Sequence, residues 1–197
     1  MASDGRVLYL ARHGETPWNL EGRWQGHTDV ALSERGREQA AALGARLAGL
    51  GIAHVRASDL SRAHETATIV AAALGVADVI VDPDLRERAF GVFEGLTRDE
   101  CATRHPEVWA DYERDRRIFP PGAEAHEHVL ARMNAAVRRA AGATEANGAA
   151  VLVVSHGGSI RLMLSAALGQ PLPPMPNGSV YRVVLDGEHF TDVQNLD

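Results

Sequence analysis

The 197-residue chain contains no lysine; all 20 of its basic residues are arginine. A nucleotide-binding P-loop needs its lysine, and a Schiff-base enzyme needs a lysine amine, so neither chemistry is available. Cys101 is the single cysteine, which excludes an internal disulfide, a Cys-x-x-Cys redox pair and a cysteine-rich zinc site. No apolar run approaches the ~20 residues of a membrane span. Met1 to Arg12 lacks the long apolar stretch behind basic residues that marks a secretory leader. A cytoplasmic protein without a membrane partner is expected. The 26 acidic residues outnumber the basic ones, for a net charge of −6, which argues against a nucleic-acid partner.

What is present is an ordinary globular mix, 45% hydrophobic and 23% charged, at the length of one domain. No repeat, low-complexity tract or linker divides it, so one domain over residues 1–197 is expected. Residues 7–11 and 150–154 are short apolar runs that read as buried strands. Residues 53–57 and 79–81 read as further strands. Residues 179–185 and 189–193 flank Asp186-Gly187-Glu188 as a hairpin. Between them, helical spacing predicts a helix from Ser33 to about Gly49, with Ala40, Leu43, Leu47 and Leu50 on its buried face. It predicts others over 61–74, 124–141 and from Gly157 to about Leu168, with mixed helical signals over 99–117. Strands alternating with helices imply an α/β fold, a three-layer helix/sheet/helix sandwich on a mainly parallel sheet.

This layout places the chemistry. In open α/β sheets, ligands bind beyond the carboxyl ends of the strands. Arg12-His13 and Ser155-His156 each stand at such an end, and each is followed by glycine, which lets backbone approach a ligand closely. Two distant histidines are thus expected to face one pocket. The flanking pattern is specific as an ordered set: Arg12-His13-Gly14-Glu15-Thr16, Trp18-Asn19, Arg23-Trp24-Gln25-Gly26, Leu32-Ser33-Glu34-Arg35-Gly36, Ser58-Asp59-Leu60-Ser61-Arg62-Ala63, Leu85-Arg86-Glu87 and Ser155-His156-Gly157-Gly158. Over roughly residues 7–169 the chain resembles the histidine phosphatase superfamily, in its phosphoglycerate-mutase-like branch.

The resemblance implies a phosphoglycerate-mutase-like fold and a small lobe at about 88–123 over the site. It implies His13 as a nucleophile forming a phosphohistidine, with its other ring nitrogen donating to a carbonyl. Arg12 and Arg62 suit phosphate because guanidinium is planar, always charged and bidentate. His156, if protonated, adds a third cation. Asn19, Gln25, Gly26 and Gly157 complete the expected phosphate contacts. Glu87 is the expected proton donor and then the base for water; a carboxyl beside a dianionic phosphate holds its proton more readily, which suits an acid. His27, His64, Arg114, Arg116 and Arg117 read as solvated residues that a substrate tail could still meet. His126 and His128, with Glu124 and Glu127, read as a solvated surface, because i and i+2 residues share no helix face.

The implied reaction is metal-independent hydrolysis of small phosphomonoesters, with no metal, no cofactor and a small phosphorylated substrate as the partner. A homodimer is the base-rate expectation. Two alternatives stand beside it: a cofactor-dependent phosphoglycerate mutase on the same fold, and a catalytically dead phosphate-sensing module. Against the mutase, Gly95-Leu96-Thr97-Arg98 stands where those enzymes carry Gly-Leu-Asn-Lys. Against the dead module, Arg12, His13, Arg62, Glu87 and His156 are all present. A magnesium-dependent phosphatase built on Asp82-Pro83-Asp84 lacks both its usual Thr or Val, where Arg86 stands, and its lysine. One departure from the family touches specificity: Gly122-Ala123-Glu124-Ala125 replaces the frequent Gly-Gly-Glu-Ser.

Overall fold

The computed structural model describes residues 5–143 and 148–197. Residues 1–4, part of the stretch read for a leader, lie outside the described residues. Six strands form one sheet in the order β3-β2-β4-β1-β5-β6: β1 (Arg6–Arg12), β2 (Ile52–Ala57), β3 (Val79–Val81), β4 (Ala150–Ser155), β5 (Val180–Asp186) and β6 (His189–Asn195). β1 to β4 run parallel, and β5 and β6 add an antiparallel hairpin beside β1.

The sheet is covered on both faces, as its continuous apolar strands require. Side chains alternate faces along a strand. Leu8 and Leu10 of β1 pack with Val129, Met133 and Val137 of α6 (His126–Gly142) and with Ile160, Met163 and Leu164 of α7 (Gly157–Leu168). Tyr9 and Ala11 face the other way, onto Leu43 and Leu47 of α2 (Glu34–Leu47) and Ala63, Ala67 and Val70 of α3 (Ser61–Leu74). Full burial of each such leucine or valine contributes about 1.5–3 kcal/mol.

Three helix boundaries differ from expectation. α2 ends at Leu47, because Ala48 leaves the helical region and Gly49 turns the chain at φ 79°; Leu50 therefore lies off the buried face and is exposed. α6 starts at His126 because the Glu124 N–H donates to the Ala89 carbonyl instead, and Ala125 supplies no side-chain cap. The stretch 99–117 holds two helices, α4 (Arg98–Arg104) and α5 (Pro106–Arg114), separated at Pro106, which disfavours helix in the residue before it. A four-residue helix, α1 (Pro17–Leu20), follows the site histidine and was not foreseen.

Within residues 88–123, Phe93, Leu96, Cys101 and Tyr112 bury a small cluster of their own, joined by Trp24, Phe90, Val108 and Trp109. A single antiparallel bridge between Phe90 and Ala123 closes the base of this segment. Among the described residues no helix is long and apolar enough to cross a membrane.

Candidate active site

The parallel pairing of β1 and β4 puts Arg12 opposite Ser155. The next residue of each strand is a histidine, so the register alone sets His13 beside His156. Their ring centroids lie 5.1 Å apart. The backbone joins them as well, through the His13 N–H donating to the Ser155 carbonyl at 3.0 Å.

His13 Nδ1 is 2.6 Å from the Gly14 carbonyl oxygen. A carbonyl only accepts, so Nδ1 carries the hydrogen and Nε2 keeps its lone pair. His156 has the opposite tautomer: its Nδ1 accepts from Arg62 Nε at 3.3 Å, so the hydrogen sits on Nε2. Its Nε2–H is buried and has no partner among the described residues. Burial first, then the charges of Arg12 and Arg62, lower the His13 pKa well below the usual histidine range. Burial and then Arg62 do the same to His156. Burial and Arg62 thus disfavour the protonation on which a third cation at His156 depends, and favour a neutral Nε2–H donor.

These two shifts predict acid sensitivity. The unfolded chain takes up protons near pH ~6.5, while the folded chain keeps both imidazoles neutral. The unfolded state then binds more protons, so stability falls as pH drops below about 6.5, by up to ~1.4 kcal/mol per pH unit for each histidine. Urea denaturation between about pH 7.5 and 5 should show this slope, and His156→Gln should remove roughly half of the pair's share. Identical slopes in the two proteins would refute the assignment.

Arg62 is fully buried near the start of α3 and makes no ion pair with any described carboxylate. Carbonyls hold it instead: Nη1 donates to Thr28 at 3.0 Å and Nη2 to Gly26 at 2.8 Å. With Nε on His156, two of its five N–H groups are left for a ligand. Arg12 Nη1 donates to the Met175 carbonyl, and its buried Nε has no described partner. Burial lowers both guanidinium pKa values, yet guanidinium remains charged. Gly157 leaves room for Arg12: a Cβ there would sit 2.9 Å from Arg12 Cδ. Two guanidiniums without described carboxylate partners, Arg62 fully buried and Arg12 partly so, suit an anion.

The two amides are oriented by groups the sequence reading gave no role. Thr16 Oγ1 lies 3.2 Å from Asn19 Oδ1 and 3.0 Å from Gln25 Oε1. The Thr16 N–H and Asn177 Nδ2 also donate to Asn19 Oδ1. With both oxygens occupied, neither NH2 group has a partner among the described residues, and each can donate to a ligand. Asn177 further donates to the His13 carbonyl at 3.2 Å. Glu94 accepts from the N–H groups of His27, Thr28 and Phe90 and from the Thr28 hydroxyl, tying the loop after Gln25 to residues 90–94.

Arg12, His13, Asn19, Gln25, Gly26, Arg62 and Glu87 share one cavity of about 150 Å³ with Arg23, Trp24 and Phe90. A larger chamber of about 500 Å³ adjoins it, and Trp24, Glu87 and Phe90 line both. Glu87 stands at that junction at the start of α7. Its carboxylate accepts from Gly158 N–H, Ser159 Oγ and Arg88 N–H, each at 2.9 Å. The chamber beyond is cationic and apolar, with Arg88, Arg98, Arg116, Arg161, Leu162 and Leu172 in its walls.

The remaining candidates separate. His64 is exposed on α3. Arg114 pairs with Asp111 and Arg117 with Asp115, both out in solvent. Arg116 alone of the three reaches the chamber, stacked 4.4 Å from the Tyr112 ring centroid. His27 is structural, with Nε2 donating to the Glu87 carbonyl at 2.8 Å. The expected solvated surface of α6 is corrected at two positions. Glu124 is locked to Arg132 at 2.7 Å, and His126 accepts from Arg88 at 3.1 Å while packing on Phe119. Among the described residues, no group of three or more His, Cys, Asp or Glu could hold a metal ion.

Comparison with known proteins shows the family. A relative from Arabidopsis thaliana, "Phosphoglycerate mutase-like protein 4", is 39% identical over 167 residues, covering 83% of this chain and 72% of the relative. The structure of a mycobacterial glucosyl-3-phosphoglycerate phosphatase with VO3 superposes with a TM-score of 0.83 at 31% identity, over 98% of this chain and 100% of that one. A putative alpha-ribazole-5'-P phosphatase from Escherichia coli gives 0.85 at 27% identity, over 98% and 96%. The family model of the histidine phosphatase superfamily (branch 1) matches residues 8–195, and the chain belongs to that superfamily.

Proposed function

We propose that the protein hydrolyses phosphomonoesters through a phosphohistidine on His13, without a metal ion. The observation that carries this reading is the position of Glu87 at the junction of the two cavities. A phosphoryl group in the small cavity and its alcohol in the large chamber would be joined by an ester oxygen beside that carboxyl. In the first step His13 Nε2 bonds to phosphorus, the ester P–O bond breaks, and Glu87 gives its proton to the leaving oxygen. In the second, water gives a proton to Glu87 and attacks phosphorus, the P–N bond breaks, and phosphate leaves. Arg12, Arg62 and the Nε2–H of His156 stabilise the charge on the transferring group, a preorganised effect that usually dominates such catalysis. Residues 88–123 act as the lobe that walls the alcohol side.

The chamber falls within the ~300–1,000 Å³ of small-molecule sites. Its walls suit an alcohol with some bulk, an apolar surface and further negative charge. The test is phosphate release from a panel of phosphomonoesters in excess EDTA. Turnover, with bulky anionic esters preferred, is expected. Activity restored only by magnesium would overturn the metal-free reading. Silence towards esters with isomerisation of phosphoglycerate would favour the mutase.

A further inference from the structure

The segment that carries Glu87 has an unusual support. After the 3-10 turn Pro83–Leu85, the chain passes residues 86–88 outside any strand of the sheet. Backbone carbonyls without a ladder still need partners when removed from water. Here side chains supply them. Ser155 Oγ donates to the Leu85 carbonyl at 2.7 Å, and Ser159 Oγ, whose one hydrogen is shared with the Glu87 carboxylate, lies 3.0 Å from that of Arg86. Arg132, from the second turn of α6, does most. Its Nη1 donates to Asp84 at 2.9 Å and to Arg86 at 2.6 Å, and its Nη2 to Glu87 at 3.0 Å. Its Nε and Nη2 also grip the two Glu124 oxygens at 2.7 Å each. Guanidinium has five N–H groups, and all five are engaged.

We propose that Arg132, oriented by Glu124, is the positioning residue for Glu87: it fixes the backbone from which the carboxyl reaches the junction of the two cavities. This rests on the role given to Glu87 above. Glu124 is built for the task. Its own N–H is anchored to the Ala89 carbonyl. Burial raises its carboxyl pKa, but the hydrogen bonds and charge of Arg132 outweigh burial, and the net shift is down, so it stays ionised. Lysine cannot substitute, because an ammonium offers three donors from one point and cannot bridge three carbonyls and a carboxylate. Arg132 touches neither cavity, so its effect must travel through the Glu87 main chain.

The experiment compares wild type, Arg132→Lys, Arg132→Met and Glu124→Gln. The first readout is kcat/KM for an alkyl phosphate and for p-nitrophenyl phosphate. This constant covers steps only through phosphoenzyme formation, where the alkyl ester needs the acid and the nitrophenyl ester does not. The alkyl value is expected to fall about 10–100-fold, and the nitrophenyl value less than about threefold. An equal fall on both esters, or none, overturns the proposal, since loss of general stability does not discriminate between leaving groups. The second readout is hydrogen exchange, which needs no turnover. Peptides spanning residues 83–90 should exchange at least about tenfold faster in Arg132→Met and Glu124→Gln, with β1 and β4 unchanged. Unchanged exchange in 83–90 overturns the proposal even if wild type proves inactive. Faster exchange with an inactive wild type would instead count against the role of Glu87. Should Arg132→Met fail to fold, Glu124→Gln keeps every guanidinium contact to the main chain possible and carries both tests.

Discussion

His13→Ala should lower phosphate release by at least about 10⁴-fold and remove covalent labelling altogether. The size follows from the arrangement. Nε2 of His13 is unprotonated because Nδ1–H is committed to Gly14, and the other nucleophilic group that lines the small cavity, the Glu87 carboxylate, is held by three hydrogen bonds. A residual rate of up to about 10³-fold over water is expected from Arg12, Arg62 and His156 acting on a bound ester attacked by water. The check is a rapid-quench experiment with a phosphorus-labelled ester. Wild type should give an acid-labile, base-stable protein phosphate, as a P–N bond requires, and the variant none. Label retained in the variant, or an acid-stable phosphate in wild type, would remove His13 from its role. The fold should survive, since the ring makes no side-chain bond to another element.

Glu87→Gln should slow alkyl phosphates by about 10²–10⁴-fold in kcat/KM while leaving nitrophenyl phosphates nearly untouched, because only a poor leaving group needs the proton. One amide oxygen replaces two carboxylate oxygens, so it can accept at the Ser159 position or at the Gly158 position but not at both, and the test rests on the contrast between the two esters rather than on total activity. The same carboxyl serves the second step. For nitrophenyl phosphate the variant should therefore release nitrophenol in a burst and accumulate phosphoenzyme, as water loses its base. A uniform loss on both esters without a burst would make Glu87 a structural acceptor at the start of α7.

The two site histidines were legible because each ends a strand written as an unbroken apolar run, Val7–Ala11 and Ala150–Val154. That the two strands are neighbours in register was not legible, since periodicity shows an element's buried face and not its partner. Pro106 and Thr16-Pro17 did signal a helix break and a helix start, but a mixed charge run and a four-residue helix gave no period to support them. Thr16 and Asn177 were missed for another reason. They act on the oxygens of other amides, and Asn177 reaches Asn19 across 158 positions from a proline-rich loop. Arg132 looks like any helix-surface arginine until the carbonyls it binds are seen. The protonation of His156 stayed conditional on the sequence alone, because sequence carries no burial.

Two guanidiniums without described carboxylate partners, Arg62 buried and Arg12 partly so, have a thermodynamic corollary: a tetrahedral oxyanion that bound between them would stabilise the fold by linkage. Free phosphate at a hundred times its dissociation constant adds about 2.7 kcal/mol of stability. On the hydrolytic reading proposed above, that anion would also be the leaving product, so a well-protected protein would be a product-inhibited one, and its working rate would follow how quickly its surroundings draw phosphate away.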